Sequence, residues 1–318
     1  AASAMVMAAA AATTTAALGP HVHMVTFTTE MYQDHFTKSL AAKEAYARHW
    51  GYSFEVFDEE SLSCEDFRPH RWRGDYRYCK LEALRVIWQR IMALRKRSRG
   101  RRDYIFWHDV DTHIMRPETP LESFIEASRG AAVVFTENAL SLNNGVFFLE
   151  VSKEGGRFLK RWRGGCRTGE WPWADNGCMY EVLLGYLGGD RYKGRCRRFR
   201  ESELQEGRPE PPTGAQLMRC FNEEMSEMGM GCCGAARGLE GQGFAFLTGA
   251  MEAFNHHPCH ELEKSKEFVD ESRDTIRAHC FVDGMFMVHT KNTTYAEASL
   301  QRMKALSGSI GVGAEGEL

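Results

Sequence analysis

Short apolar segments alternate with longer amphipathic segments along this sequence, and the alternation limits the folds that the chain can adopt. Residues 21–28 and 52–57 are rich in Val, Phe and Thr, which is typical of β-strands, and the helical periodicity of residues 33–50 separates them. A second amphipathic helix is predicted at residues 81–94, before an apolar strand at 104–107. Strands that alternate with helices predict an α/β fold, Rossmann-like, with a mostly parallel central sheet flanked by helices. Ligands bind such sheets at the carboxyl ends of the strands.

The rest of the chain divides into segments of uneven regularity. Helices are predicted at 120–127, 152–162 and 175–187, strands at 132–136, 145–151 and 285–288, and a last helix that Thr293 or Thr294 caps and that ends near 306. Residues 190–243 lack clean periodicity, which predicts an irregular insertion or flexible loops. We therefore expect one domain over residues 21–306. Residues 1–20 are expected to be a disordered stem or targeting remnant, and residues 307–318 a flexible tail.

Composition restricts the partners more than it restricts the fold. A formal net charge of -3 over 318 residues gives no basic excess for nucleic-acid binding, so no nucleic-acid partner is expected. Residues 1–20 lack a bilayer-spanning apolar stretch, and membrane contact is expected only through an N-terminal anchor outside this sequence. The ten cysteines lack paired zinc-ligand spacing. Disulfides in a secretory compartment and free buried thiols both explain their number.

The chemistry of the chain is concentrated where the apolar strand at residues 104–107 runs into Asp109-Val110-Asp111. On an extended chain alternate residues share one face, so both carboxylates are expected to point at one spot. Two carboxylates at the end of a strand suit Mg²⁺ or Mn²⁺. A lone pair of this kind also occurs in solvated acidic turns. The buried strand before it and the apolar Ile114-Met115 and Pro117 after it favour a metal site.

This region resembles the GT-A glycosyltransferases, in particular the galactosyl/mannosyl/xylosyltransferase group of fungal α-galactosyltransferases and plant xyloglucan xylosyltransferases. The resemblance begins with Phe106-Trp107, Asp109-Val110-Asp111, Pro117, Pro120-Leu121 and Phe124. Further segments arrive in the order of the family: Tyr78-Cys79-Lys80-Leu81, Leu142-Asn143-Asn144-Gly145, Phe158-Leu159 with Trp162, Asp175-Asn176-Gly177, and Phe286 to Lys291. Together they cover roughly residues 22–187 and 285–291.

The resemblance implies a GT-A fold, a divalent metal that is usually Mn²⁺, and a nucleotide-diphosphate sugar as the donor substrate. It also implies retention of the anomeric configuration. Carried over by position, Asp109, Asp111 and His289 would hold the metal, with Asp109 also contacting the donor ribose. Lys80 and Lys291 would contact the diphosphate, and Asn143, Asn144 and Asp175 would face the sugar.

Several positions depart from the family pattern or have a plainer interpretation. His108, Asn176, Asn144 and Thr290 differ from the residues that the family usually carries. His108 should point away from Asp109 and be packed. Asn143-Asn144-Gly145 is also a turn signal, and Trp171-Pro172-Trp173 is either an acceptor groove that stacks on sugars or a packed loop anchor.

The expected function is transfer of a hexose or pentose from a UDP- or GDP-sugar to a hydroxyl of a glycan or glycoconjugate. A metal-dependent nucleotide or phosphoester hydrolase, and a catalytically silent nucleotide-sugar-binding protein on the same scaffold, are the alternatives. A Golgi or other secretory lumen is the usual place of the family. The sequon Asn292-Thr293-Thr294 directly follows Lys291, so a glycan there would crowd the site, and we expect the sequon to be unused.

Overall fold

The computed structural model describes residues 19–62, 64, 76–95, 101–137, 142–167, 171–200, 213–228, 243–247, 257–258, 280–281 and 285–309. Residues 1–18 and 310–318, which hold most of the expected stem and tail, lie outside these ranges. The strands are β1 (His21–Phe27), β2 (Ser53–Phe57), β3 (Asp103–His108), β4 (Thr112–Ile114), β5 (Val133–Glu137), β6 (Leu142–Glu150), β7 (Phe244–Leu247) and β8 (Met287–His289). The helices are α1 (Glu30–His35), α2 (Thr37–Trp50), α3 (Cys79–Arg95), α4 (Glu122–Ala127), α5 (Lys153–Arg167), α6 (Asp175–Gly188), α7 (Gly214–Glu227) and α8 (Thr293–Ser309).

A six-stranded sheet in the order β2-β1-β3-β6-β5-β7 forms the centre of the molecule. β1 pairs in parallel with both β2 and β3, and β5 pairs in parallel with β7. β6 is antiparallel to its two neighbours, β3 and β5. The other five strands therefore share one direction, which confirms the predicted α/β class with a mostly parallel sheet flanked by helices.

Alternate residues of the central strands supply two separate cores, because successive side chains of a strand point to opposite faces. From β3, Ile105 and Trp107 pack with α3, α5, α6 and α7, whereas Tyr104 and Phe106 pack with α2, α4 and α8. All four side chains are at most 1% exposed. Burying a large apolar side chain contributes about 1.5–3 kcal/mol. Helices thus cover both faces of the sheet, so the ends of the strands are where a ligand can reach it.

The late strand differs from its prediction in length and position. β8 has three residues and pairs antiparallel with β4 in a separate two-stranded sheet, with Thr112 opposite His289 and Ile114 opposite Met287. The apolar residues Met285 and Phe286 precede this strand and are buried. The predicted strand was therefore correct in burial, but the pairing begins two residues later and lies outside the central sheet.

The region predicted as an irregular insertion contains a regular helix, so that expectation is wrong for α7. Thr213 caps the helix through a capping box with Gln216, in which Thr213 Oγ1 accepts from Gln216 N at 3.2 Å. Leu217 and Phe221 are buried at helical spacing. The helical periodicity was therefore present in the sequence. The rest of the predicted insertion, residues 201–212 and 229–242, lies outside the described ranges.

Helix boundaries depart from the predictions in two further places. The helix expected at residues 33–50 is divided at Phe36, which ends α1 and precedes α2. The last helix is capped by Asn292 rather than by Thr293 or Thr294, because Asn292 Oδ1 accepts from Thr294 N at 3.1 Å. This helix continues to Ser309, three residues past its predicted end.

Three disulfides join described residues. They are Cys64–Cys79, Cys166–Cys178 and Cys196–Cys220, with Cα–Cα distances of 5.3, 5.3 and 5.7 Å. These six cysteines therefore follow the disulfide alternative rather than that of free thiols. Among the described residues, no helix combines the length and the hydropathy that spanning a membrane requires.

Candidate metal centre

The acidic pair lies in a turn that follows β3, so the expected extended chain is wrong. Asp109 N donates to Gly145 O at 2.7 Å, just beyond the paired residues of β3 and β6. Thr112 then closes the turn, because its hydroxyl and its amide both donate to Asp109 O, at 2.7 and 3.2 Å. The two carboxylates nevertheless converge as predicted. Their oxygens and a ring nitrogen of His289 lie within 4.8 Å of one another.

The small β4–β8 sheet places His289 beside the acidic turn. Thr290 N donates to Asp111 O at 2.8 Å, and the His113 ring donates from Nε2 to Thr290 O at 3.0 Å. These bonds hold the end of β8 against the turn, and His289 Nε2 lies 3.1 Å from Asp111 Oδ1. The expected grouping of Asp109, Asp111 and His289 is thus present. Its two halves are 178 residues apart in the sequence.

The charges of the cluster depend on one another. Burial favours the neutral form of Asp111, but the His289 imidazolium outweighs it and lowers the pKa of this carboxyl. Burial likewise opposes charge on His289, yet the Asp111 carboxylate raises the pKa of the imidazole. Burial raises the pKa of Asp109, and the nearby Asp111 charge adds to this against the attraction of Lys80. The proton on His289 therefore offsets the charge of Asp111, and a metal ion bound to the neutral imidazole would take over that role.

The donor set fits a divalent metal ion. Two carboxylate oxygens and one imidazole nitrogen are ligands that Mn²⁺ accepts, and the carboxylates also suit Mg²⁺. The three side chains are partly exposed, at 29% for Asp109, 19% for Asp111 and 11% for His289. One side of the cluster therefore remains accessible to a ligand.

Gly145 is required where β6 passes the imidazole of the cluster. A Cβ atom at this position would lie 2.7 Å from His289 Cε1 and 2.9 Å from Asn143 Oδ1. Contacts below 3.0 Å force one of the neighbours to move. The glycine of the sequence motif thus has a steric reason: it allows the backbone of β6 to approach the His289 ring.

Lys80, in the first turn of α3, is buried between four oxygen atoms. Its ammonium lies 3.1 Å from Asp109 Oδ1 and 3.0 Å from Asp175 Oδ2. It also donates to the backbone oxygen of Asn144 at 2.9 Å and to the side-chain oxygen at 2.6 Å. The residue is 5% exposed. In this arrangement Lys80 links the acidic turn to β6 and α6, and its contact with a donor phosphate stays a prediction.

The two asparagines lie within β6, so the turn interpretation of Asn143-Asn144-Gly145 is wrong. Asn143 Oδ1 accepts from Gly145 N at 2.6 Å. Asn144 N donates to the side-chain oxygen of Asn176 at 3.0 Å, and Asn144 is 3% exposed. Among the described residues, Asn144 Nδ2 is buried without a hydrogen-bond partner. Asn176, treated as a departure from the family pattern, positions the backbone of the predicted sugar-facing asparagine.

Two residues near the cluster were missed. Lys43 of α2 is 1% exposed, and its amine donates to the backbone oxygens of Asp109 and Val110 at 2.9 and 3.0 Å. Burial lowers the pKa of Lys43 to about 7, against the attraction of Asp111 and Asp109. His257 stacks on His289 with ring centroids 4.6 Å apart. The sequence could have indicated Lys43, because it is a charged residue on the apolar face of α2. Nothing in the sequence around His257 indicates that it lies near the cluster.

Lys291 and His108, both singled out from the sequence, differ in burial. Lys291 is exposed shortly after the end of β8 at His289, and its backbone oxygen accepts from His35 Nε2 at 3.4 Å. Its contact with a diphosphate stays a prediction. His108 is fully buried and stacks on Phe54 with centroids 6.0 Å apart, which confirms the expected packed position. Burial lowers the pKa of His108 well below its usual value, so the ring is neutral.

The segment Trp171-Pro172-Trp173 follows the packed-anchor interpretation. Trp171 is 7% exposed and belongs to the core that α5, α6 and α7 cover. A Cβ atom at Gly214 would lie 2.1 Å from Trp173 Nε1, so the first turn of α7 packs directly against this ring. Both tryptophans therefore hold helices together.

Searches for similar proteins returned structural similarity alone. No family model matches the chain, and no curated protein matches it. A solved glycosyltransferase involved in glycosylation of the major capsid of PBCV-1 is 13% identical, with a TM-score of 0.39 over 90% of this chain and 100% of the other. The galactosyltransferase LgtC, solved with donor and acceptor sugar analogues, is 12% identical, with a TM-score of 0.35 over 92% and 98%. An active-site mutant of LgtC is 11% identical, with the same TM-score of 0.35. Similarities at this level carry no conclusion about function.

Proposed function

We propose that this chain is a metal-dependent glycosyltransferase. It would transfer a hexose or pentose from a UDP- or GDP-sugar to a hydroxyl of a glycan or glycoconjugate, with retention of configuration. One observation carries the proposal: Asp109, Asp111 and His289 meet beside a buried Lys80–Asp175 ion pair. A cation site next to a set of polar side chains suits a substrate that carries a diphosphate and a sugar.

The chemistry requires the bond between the anomeric carbon and the diphosphate oxygen to break while the acceptor oxygen bonds to that carbon, and the proton of the acceptor hydroxyl passes to the leaving diphosphate. Bound Mn²⁺ or Mg²⁺ would supply positive charge to the leaving diphosphate. Asp109, Asp111 and His289 would hold it. Lys291, exposed after β8, offers a point charge to a phosphate oxygen.

The remaining predicted residues act on the sugar side of this site. Asp175 begins α6, and Lys80 holds its carboxylate 3.0 Å from the ammonium. A fixed carboxylate stabilises positive charge that develops on the sugar ring in the transition state. Asn144 is oriented by Lys80 and Asn176, so its amide is preorganised for a sugar hydroxyl.

A secretory lumen, such as the Golgi, is part of the proposal. Three disulfides among described residues support it, because such bonds persist in oxidising compartments. The acceptor would be a glycan or glycoconjugate that passes through the same compartment.

The test is a thermal-shift panel of UDP- and GDP-sugars, each with Mn²⁺ or with EDTA. A ligand that binds the native state stabilises it by about 2.7 kcal/mol at a hundredfold excess over its dissociation constant. We expect one donor to raise the melting temperature in the presence of Mn²⁺ and not in EDTA. Asp111→Asn should lose this shift. Asp190→Asn, which changes an exposed aspartate outside the site, should keep it.

Product analysis with the donor from that panel then separates the alternatives. A glycosyltransferase forms product that depends on an added acceptor, whereas a hydrolase consumes the donor equally well without one. A silent binding protein shows the thermal shift but no turnover with a broad acceptor panel. Absence of any metal-dependent shift in folded protein would contradict the proposed function.

A further inference from the structure

Helix α2 contacts the acidic turn from behind, through two buried side chains. Lys43 Nζ donates to Asp109 O at 2.9 Å and to Val110 O at 3.0 Å. Ser39, one helical turn earlier, donates from its hydroxyl to Val110 O at 3.2 Å and to Thr112 O at 3.0 Å. Both side chains are 1% exposed. Three carbonyl groups of the turn are therefore bonded to one helix.

The turn needs these donors because its carbonyls have left the central sheet. A buried carbonyl without a partner is costly, and a buried amine is tolerated where it can donate hydrogen bonds. Asp109 O already accepts from Thr112, and Lys43 adds a further donor from the opposite element. Rotation of either peptide would break bonds to α2. The backbone that carries both carboxylates is thereby held in one conformation.

We propose that Lys43 and Ser39 are positioning residues of the metal site. They hold the carbonyls of the acidic turn on the α2 side, so that the carboxylates of Asp109 and Asp111 stay together with His289 before the ion arrives. This inference rests on the proposed function, since it requires the cluster to bind a divalent metal. It depends on hydrogen-bond donation, which the amine provides in either charge state.

Two other roles for Lys43 make different predictions. A lysine that merely fills space would affect stability, and its removal would leave the metal affinity unchanged. A lysine that acts through its charge would repel the ion, and its removal would tighten binding. The positioning role alone predicts weaker metal binding when the donor is lost. The carboxylates must then be ordered when the metal binds, and the free energy of ordering them reduces the binding free energy.

The experiment measures the dissociation constant of Mn²⁺ by titration calorimetry without nucleotide, on protein with a cooperative unfolding transition. Lys43→Met keeps most of the side-chain volume and removes the donor. Loss of groups that orient metal ligands weakens metal binding by about 10–100-fold. We therefore expect roughly tenfold weaker binding for Lys43→Met and a smaller loss, about threefold, for Ser39→Ala. Lys38→Met is the matched control on the same helix, because Lys38 is exposed and pairs with Glu297. It should keep the wild-type affinity.

The outcomes separate this inference from the proposed function. Wild-type protein that binds no divalent metal overturns both. Wild-type protein that binds Mn²⁺, with an equal or tighter affinity in folded Lys43→Met, overturns the positioning role alone. Should Lys43→Met not fold, Ser39→Ala decides: weaker binding supports the role, and an unchanged dissociation constant overturns it.

Discussion

At the scale of single residues, the candidate site depends on the close approach of the His289 ring to the Asp111 carboxylate and to the backbone of Gly145. Asp111 and His289 each shift the pKa of the other towards the charged form, since Oδ1 and Nε2 lie 3.1 Å apart. The imidazole can take this position because the residue behind it, Gly145, has no side chain. The site therefore combines the two candidate ligands, Asp111 and His289, with a glycine that leaves room for the imidazole ring.

Gly145→Ala tests that steric requirement. Its methyl group would meet His289 Cε1 at 2.7 Å, so the ring must shift away from the carboxylates. We expect Mn²⁺ binding to weaken about tenfold and the free energy of unfolding to fall by about 1–3 kcal/mol. Calorimetry and urea denaturation measure the two effects.

The control is Gly164→Ala in the helix α5. A Cβ atom there meets nothing within 4 Å, so the change should raise stability by about 0.5–1 kcal/mol through helix propensity. Its metal affinity should equal that of the wild type. Wild-type Mn²⁺ affinity in Gly145→Ala would contradict the steric account.

Lys80→Met tests the buried ion pair. Lys80 and Asp175 have side chains that are each 6% exposed, so removing the ammonium leaves an uncompensated carboxylate in the interior. Breaking a buried pair from one side costs about 3–5 kcal/mol. Adding Asp175→Asn removes the stranded charge, and the double variant should be less destabilised than the sum of the two single variants, by about 0.5–3 kcal/mol. Strict additivity in urea denaturation would contradict the coupling.

At the scale of elements, the start of α8 combines a cap with a sequon. Asn292 Oδ1 accepts from the backbone of Thr294 at 3.1 Å and so satisfies one of the free amides of the first turn. Asn292→Ala should lower stability by about 1 kcal/mol, whereas Asn292→Asp keeps the acceptor and should remain close to the wild type. Thermal unfolding measures both, and equal loss in the two variants would contradict the cap.

The same asparagine is predicted to carry no glycan. It directly follows Lys291, the predicted diphosphate contact, and its side-chain oxygen is engaged by the helix start. Protein produced in a secretory host should therefore have an intact mass without a glycan at Asn292. A glycan there in an active enzyme would contradict both the site assignment and this prediction.

At the scale of the whole molecule, the two faces of the sheet are stabilised differently. All six cysteines of the three described disulfides belong to the core that α3, α5, α6 and α7 cover. Among the described residues, the opposite core, which contains α2, α4 and α8, is built from apolar side chains and contains no cysteine. These three disulfides thus lie on the face that carries Lys80 and Asp175, whereas Cys280, which is also disulfide-bonded, precedes Phe281, whose ring contacts Tyr295 of α8.

Reduction should therefore loosen one face more than the other. The disulfides span 15, 12 and 24 residues. A disulfide that closes a 15-residue loop stabilises by about 3 kcal/mol in the chain-entropy description. We expect a reductant to lower the melting temperature and to increase hydrogen exchange in α6 and α7 before α2. Uniform exchange across both faces would contradict this division.

The elements were largely predictable because they follow from local periodicity. The apolar residues of β3 and the amphipathic face of α3 are encoded within a few residues, and their strand and helix are confirmed. α7 was missed although Leu217 and Phe221 are correctly spaced. Glycine, methionine and cysteine around it weaken the contrast between apolar and polar faces, on which such predictions depend.

The sequence by itself determined the α/β class and the position of Asp109 and Asp111 at a strand end, because periodicity and strand ends are local properties. Its motif order also indicated His289. Only the tertiary structure decided that the pair lies in a turn, that Lys80 is held by Asn144 and Asp175, and that Lys43 supports the turn from behind. Those contacts join residues far apart in the sequence, such as Lys80 and Asp175, and their geometry depends on how the helices pack against the sheet.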